Sequence, residues 1–160
     1  IDELINEVGL DIARFFFLQR SLNTHFNFNM NLAKEKSDKN PVFKVQYAYA
    51  RICSIFRKFG NFKPQISNFK LLDEPSELEL IKQIIRFPEI IQDIAKDYQL
   101  QRLPNYALEL AESFHRFYES CKVISEDKKL TEARLSLILA TKIVLKNTLD
   151  LMGVSAPDKM

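Results

Sequence analysis

Glycine scarcity is the tightest constraint on this chain: 160 residues contain only 3 glycines. Average usage of about 7% would supply roughly eleven. Sheets built on tight hairpins draw on glycine for positive φ, and phosphate-cradling loops need several in a row, so neither is expected here. Helices make no such demand. With 46% of residues apolar, there is material for one sizeable core, and a charged content of 28% sets wholesale disorder aside. No apolar stretch approaches the ~20 residues that span a bilayer.

Prolines and the few glycines punctuate a helical pattern. Leu4, Val8, Ile12, Phe15 and Phe16 recur at helical steps, predicting one or two helices interrupted near Gly9. His25 to Asn31 alternates Phe26 and Phe28 with polar residues, predicting a short strand or extended loop. Asn40-Pro41 supplies an N-cap and a first-turn proline for a helix over Pro41–Phe59, ended by Gly60. Residues 61–75 hold turn residues without a period and predict a loop. Helices follow over about 76–86, with Ser76 and Glu79 as a capping box, and over about 88–99 after the break at Pro88. A long helix from Pro104 to about Ile124 and a last one over roughly 129–151, capped by Gly153, complete the pattern. The expected fold class is all-α, an antiparallel helical bundle, with residues 1–36 as a short irregular connecting segment and 37–160 as the bundle.

Charge is strongly segregated beneath a net +2. Between Asp38 and Asp73 no acidic side chain occurs, while Lys39, Lys44, Arg51, Arg57, Lys58, Lys63 and Lys70 do, interleaved with phenylalanines and tyrosines. Such a window can meet phosphates and stack on unpaired bases. Within the Pro41–Phe59 helix, Val42, Val45, Tyr49, Ile52, Phe56 and Phe59 form one stripe, the predicted core face. Lys44, Tyr47, Arg51, Ser54 and Lys58 lie about 200° away from it at ~100° per residue, giving a basic face with a tyrosine set into it. A solvated surface is the alternative, but ordinary solvated faces mix signs to gain i,i+4 pairs, and this one offers no acidic partner of its own.

Phe114, Phe117, Tyr118 and Cys121 follow helical spacing and read as core, with His115 at its edge and Tyr118 the ring best placed to point outward. Glu77 and Glu79 read as solvated surface. Cys53, Cys121, His25 and His115 lack the paired spacings of a zinc site, so no metal is expected. Two cysteines in a chain of this length do not suggest a disulfide framework and fit a reducing, cytoplasmic compartment. No nucleophile motif is present, and no catalytic residue is expected.

Several blocks occur in a recognisable order: Gly9-Leu10-Asp11-Ile12-Ala13-Arg14-Phe15-Phe16-Phe17-Leu18, Leu32-Ala33-Lys34-Glu35, Asn40-Pro41-Val42, Val45-Gln46-Tyr47-Ala48-Tyr49-Ala50-Arg51-Ile52, Phe114-His115-Arg116-Phe117-Tyr118, Thr131-Glu132-Ala133-Arg134-Leu135 and Leu151 to Met160. Together they resemble the C-terminal part of bacterial-type arginyl-tRNA synthetases over nearly the whole chain. The resemblance implies an all-helical anticodon-binding domain, of the type named for an Asp-Ala-Leu-Arg motif, attached behind a class I catalytic domain that uses ATP with Mg to join arginine to its tRNA. The family's two ATP-handling signatures, of His-x-Gly-His and Lys-Met-Ser-Lys type, are absent, so the chain alone is expected to bind tRNA without catalysis. Ile1 would fall just beyond the second signature, and Met160 looks like the natural C-terminus.

By motif, Tyr47 and Arg51 match helix positions that face the anticodon loop, Tyr118 an aromatic position near it, and Met160 a terminal residue that reaches it. The same carry-over implies that the segment around Asp11, Arg14 and Arg20 braces the inner corner of the tRNA. Tyr49 stands where the family often has His, and Lys44 where it often has an aromatic. The expected partners are tRNA(Arg) and the catalytic domain of the same chain, with no membrane and a monomeric state. The expected tRNA-binding set is Tyr47, Arg51, Lys44, Lys58, Tyr118 and Met160, with Arg14 and Arg20 on the stem or corner. The alternative is a helical protein-interaction module, or a non-synthetase RNA-binding module, whose basic window meets an acidic partner.

Overall fold

A computed structural model of the chain describes residues 1–21, 24–60 and 66–160, with backbone alone at 66–68. Helices α1 (Asp2–Val8) and α2 (Leu10–Leu18) are separated at Gly9, whose φ of 87° turns the chain between them. Gly9 is thus the break the periodicity predicts. The stretch from His25 forms neither helix nor strand, and it ends sooner than expected, in a short helix α3 (Met30–Lys34). The Asn29 side chain accepts from the Leu32 N–H at 3.0 Å and caps that helix, a signal the Phe26/Phe28 alternation concealed.

Helix α4 (Pro41–Phe59) has the predicted bounds. Residues 61–65, with Phe62 and Lys63 of the basic window, lie outside the described residues, and Ile66–Leu71 forms a 3₁₀ helix against the last helix where a loop is predicted. Helix α5 (Pro75–Ile85) is capped two residues earlier than expected: Glu74 is the N-cap and Glu77 reaches back to the Glu74 N–H at 3.1 Å. Helix α6 (Phe87–Asp97) begins one residue before Pro88, which sits in its first turn. Helix α7 (Arg102–Ser120) begins before Pro104 and stops short of Ile124, since Cys121 is already extended at φ −120°, ψ 129°. Helix α8 (Lys128–Met152) is capped by the Asp127 carboxylate and ends at left-handed Gly153.

The architecture is all-α, and no strand occurs among the described residues. Helices α4, α5, α7 and α8 pack around one another, α6 lies on α7, and α2 packs against α4, α7 and α8. Phe15, Ile52, Tyr106, Leu110, Phe114, Phe117, Leu135 and Ile138 are fully or almost fully buried within a single cluster. That cluster takes in Val8, Phe16 and Ala33 as well, so the core is continuous from the N-terminal helices into the bundle.

Glu77 departs most from its expected place. Its carboxylate is wholly buried rather than solvated and meets the Arg134 guanidinium at 2.6 Å. The i,i+2 offset from Glu79 separates the two residues by helix face, as the sequence indicates, but the face Glu77 occupies is the one α8 covers.

Candidate nucleic-acid interface

Helix α4 is held rigidly at its start. The Asn40 side-chain oxygen accepts from the Val42 N–H at 3.1 Å, while its amide donates to the Ala33 and Glu35 carbonyls at 3.0 Å each. One buried asparagine thereby caps α4 and ties it to the end of α3. Val42, Val45, Tyr49 and Ile52 are buried as predicted, and Ala48, Ala50 and Cys53 join them, whereas Phe59 is exposed. The buried face of α4 is wider than one stripe because α7 and α8 both press on it.

Phe43, Tyr47 and Arg51 stand at i,i+4 intervals and meet along the helix. The Phe43 and Tyr47 rings stack with centroids 5.9 Å apart and an interplanar angle of 9°. His115 of α7 stacks on Tyr47 at 6.1 Å. The Arg51 guanidinium lies 4.9 Å from the Tyr47 ring and 4.7 Å from the Tyr118 ring, and donates to the Tyr47 hydroxyl. Each ring face attracts the cation without cancelling its charge. Tyr47 and Tyr118 are half-buried among aromatic neighbours, so each offers part of its surface to solvent.

Burial lowers the His115 pKa below its usual value, and the nearby Lys44 and Arg51 charges act in the same direction, against a hydrogen bond to the Lys44 backbone and the charge of Glu119. The ring is therefore neutral at physiological pH and packs against Tyr47 without adding a third charge.

These groups line one side of an open cavity of about 970 Å³. Its other walls are the turn after α7 and the C-terminal segment. Among the described residues, the cationic side chains of Arg51, Arg57, Lys58, Lys122 and Lys159 border it against one acidic side chain, Glu119. Such a concave, predominantly cationic surface concentrates an anionic ligand.

The C-terminal wall is strapped across α2 and α4. Arg14 donates to the Gly153 carbonyl, and Gln46 donates to the Ser155 carbonyl at 3.0 Å and to Asp11 at 3.1 Å. Further along, Arg57 donates to the Asp158 carbonyl at 2.8 Å, and the Cys53 thiol to the Asp158 carboxylate at 3.2 Å. That thiol, with Lys142 and Arg57 nearby, holds the Asp158 carboxyl below its usual range. Lys159 and Met160 are thereby delivered to the cavity rim.

Of the residues singled out in the sequence, Tyr47, Arg51, Lys58, Tyr118 and Met160 converge on this cavity. Lys44 does not. It faces α7 and pairs with Glu112 at 3.5 Å, so the basic face has an acidic partner after all, supplied by another helix. Arg14 is held at the end of α8, and Arg20 lies over the Phe26 ring at 5.3 Å, both away from the cavity. Sequence reasoning missed Phe43 as part of the stack, though its i,i+4 spacing to Tyr47 was visible. It also missed Lys122 and Ile124, which belong to no motif, and Lys159, which lies within the Leu151 to Met160 block without a role assigned to it. Among the described residues no three His, Cys, Asp or Glu side chains gather as a metal site would need.

The family model described as the DALR anticodon binding domain matches residues 45–160. The chain is 45% identical to the arginine–tRNA ligase of Salinibacter ruber and 47% identical to that of Symbiobacterium thermophilum; all of this chain is covered, with 29% and 30% of those proteins. It thus spans less than a third of the length of the curated relatives it matches. Among solved structures, it superposes on the Thermus thermophilus arginyl-tRNA synthetase with a TM-score of 0.83 at 29% identity, covering 99% of this chain and 28% of that one. For the Plasmodium falciparum arginyl-tRNA synthetase the values are 0.79, 28%, 99% and 28%.

Proposed function

The chain belongs to the DALR anticodon binding domain family, and from that premise we propose that its cavity receives the anticodon loop of tRNA(Arg). The observation that carries the reading is the Tyr47–Arg51–Tyr118 sandwich at the mouth of a cation-lined cavity. An anticodon loop presents splayed bases on a curved phosphate backbone. Single-stranded loops of this kind are recognised by stacking on aromatic or guanidinium planes, with cations placing the phosphates. Arg51, held between the two rings, supplies a charge for the backbone, while the solvent-facing parts of Tyr47 and Tyr118 offer the surface for a base. Lys58, Lys122 and Lys159 steer the phosphates, and Met160 adds an apolar contact at the rim. On this reading Arg14 and Arg20 meet the tRNA away from its anticodon, at the inner corner.

The whole protein would then be an arginine–tRNA ligase, joining arginine to tRNA(Arg) at the expense of ATP, as a cytoplasmic monomer. ATP and Mg would be handled by its catalytic domain, outside these residues. No helix among the described residues is long and apolar enough to cross a membrane.

Fluorescence anisotropy with a labelled stem-loop carrying the arginine anticodon tests the site. Tyr118→Ala and Arg51→Ala are each expected to weaken binding by about tenfold or more, from the ~1–3 kcal/mol of a stacked base. Unchanged affinity in both variants would remove the site from this surface. Indifference of the parent chain to the RNA would leave an acidic protein partner as the better reading.

A further inference from the structure

The wall of the cavity opposite α4 is the bent segment 121–127, which belongs to no helix or strand. All four residues from Cys121 to Ile124 border the cavity; Cys121 and Val123 are buried, while Lys122 and Ile124 are exposed. A segment outside helix and sheet has no regular hydrogen-bond pattern to fix its backbone, so its position depends on whichever groups satisfy its N–H and C=O.

Those groups come from the first two turns of α8. Arg134 donates from Nη1 to the Lys122 carbonyl at 2.8 Å and from Nε to Glu77 at 2.6 Å. Thr131, one turn earlier on the same face, accepts from the Ser125 N–H at 2.9 Å and bonds the Ser125 carbonyl at 3.2 Å. Glu77 is wholly buried, and its second oxygen accepts from the Glu74 N–H. Two sets of bonds from one face of α8 therefore hold the two ends of the wall, Arg134 with Glu77 at Lys122 and Thr131 at Ser125. A buried ion pair is weak support for stability, because apolar residues of similar volume serve as well or better. Its directed hydrogen bond to Lys122 is what apolar residues cannot supply.

We propose that Arg134, Thr131 and Glu77 are positioning residues of the interface: they fix the wall at which Lys122 and Ile124 meet the RNA loop. The proposal rests on the function inferred above for the cavity. None of the three touches the ligand. Their effect passes through the Lys122 and Ser125 backbone.

The test pairs hydrogen exchange at 122–125 with stem-loop binding, in the same chain. The double substitution Glu77→Leu with Arg134→Met is expected to keep or raise the melting temperature, to speed exchange at 122–125 by about tenfold, and to weaken RNA binding by about tenfold. A purely structural pair predicts the opposite pattern, with normal exchange and binding in a stable double variant, and that result would overturn the proposal. If the double variant fails to fold, Thr131→Val and Thr131→Ser decide: loss with Val and recovery with Ser are expected, and equal behaviour rejects the role. A parent chain that ignores the stem-loop sinks the anticodon reading instead, while exchange still decides whether the network holds the wall.

Discussion

Arg51 and Arg134 are both embedded arginines, and their surroundings treat the charge in opposite ways. Arg134 meets a carboxylate that is itself wholly buried, so its charge is neutralised and its remaining donors fix a backbone turn. Arg51 lies between two phenol rings, and no carboxylate among the described residues pairs with it. Rings orient a guanidinium and leave its field intact. The comparison separates two uses of one side chain: within the bundle it sets geometry, and at the cavity it remains available to an anion.

The contrast breaks most readily through stability. Arg134→Ala leaves Glu77 charged and unpaired in the core and is expected to cost about 3–5 kcal/mol, read as a lower urea midpoint. Arg51→Ala removes a half-buried side chain whose departure strands no charge, and is expected to cost about 1 kcal/mol. Equal losses would mean that the rings do not substitute for a carboxylate as described.

Acid sharpens the comparison from the side of the stack. His115 has a lowered folded pKa, so below about 6.5 the unfolded chain binds its proton first. The stability due to neutral His115 is full above that value and declines as pH falls toward the folded one. Thermal melts at pH 7.5 and 5.5 should differ less in His115→Phe than in the parent. An unchanged pH profile in the variant would place the acid sensitivity elsewhere.

The smallest expected effect concerns the solvated rim. Lys58 is exposed and lines the cavity without a carboxylate partner among the described residues. Lys58→Ala should leave stability nearly untouched and flatten the slope of log affinity against log salt by about 1. A slope that does not change would show that the phosphates run past another cation.

Much of this was legible from local chemistry. Asn40, Pro41 and Gly60 bound α4 because capping, a missing donor and a positive φ are properties of single residues. The same holds for Gly9 and Gly153. The convergence of Tyr47, Arg51 and Lys58 followed from helical spacing alone. Other features were not local. The 3₁₀ helix at Ile66–Leu71 packs on α8, a contact no spacing within that segment records. Lys44 seemed unpaired because Glu112 is 68 residues away in the chain.

What the sequence determined by itself was therefore the helical class, the ends of the best-capped helices, and one cationic aromatic face. Each depends on residues within a turn or two of one another, where periodicity is geometry. Only the tertiary structure decided which charges stay free. It neutralised Arg134 with Glu77 across 57 residues, committed Arg57 to the Asp158 carbonyl, and left Arg51 between two rings. The physical reason is that a charge is quenched or kept by whatever packs beside it, and that neighbour is set by the fold rather than by position along the chain.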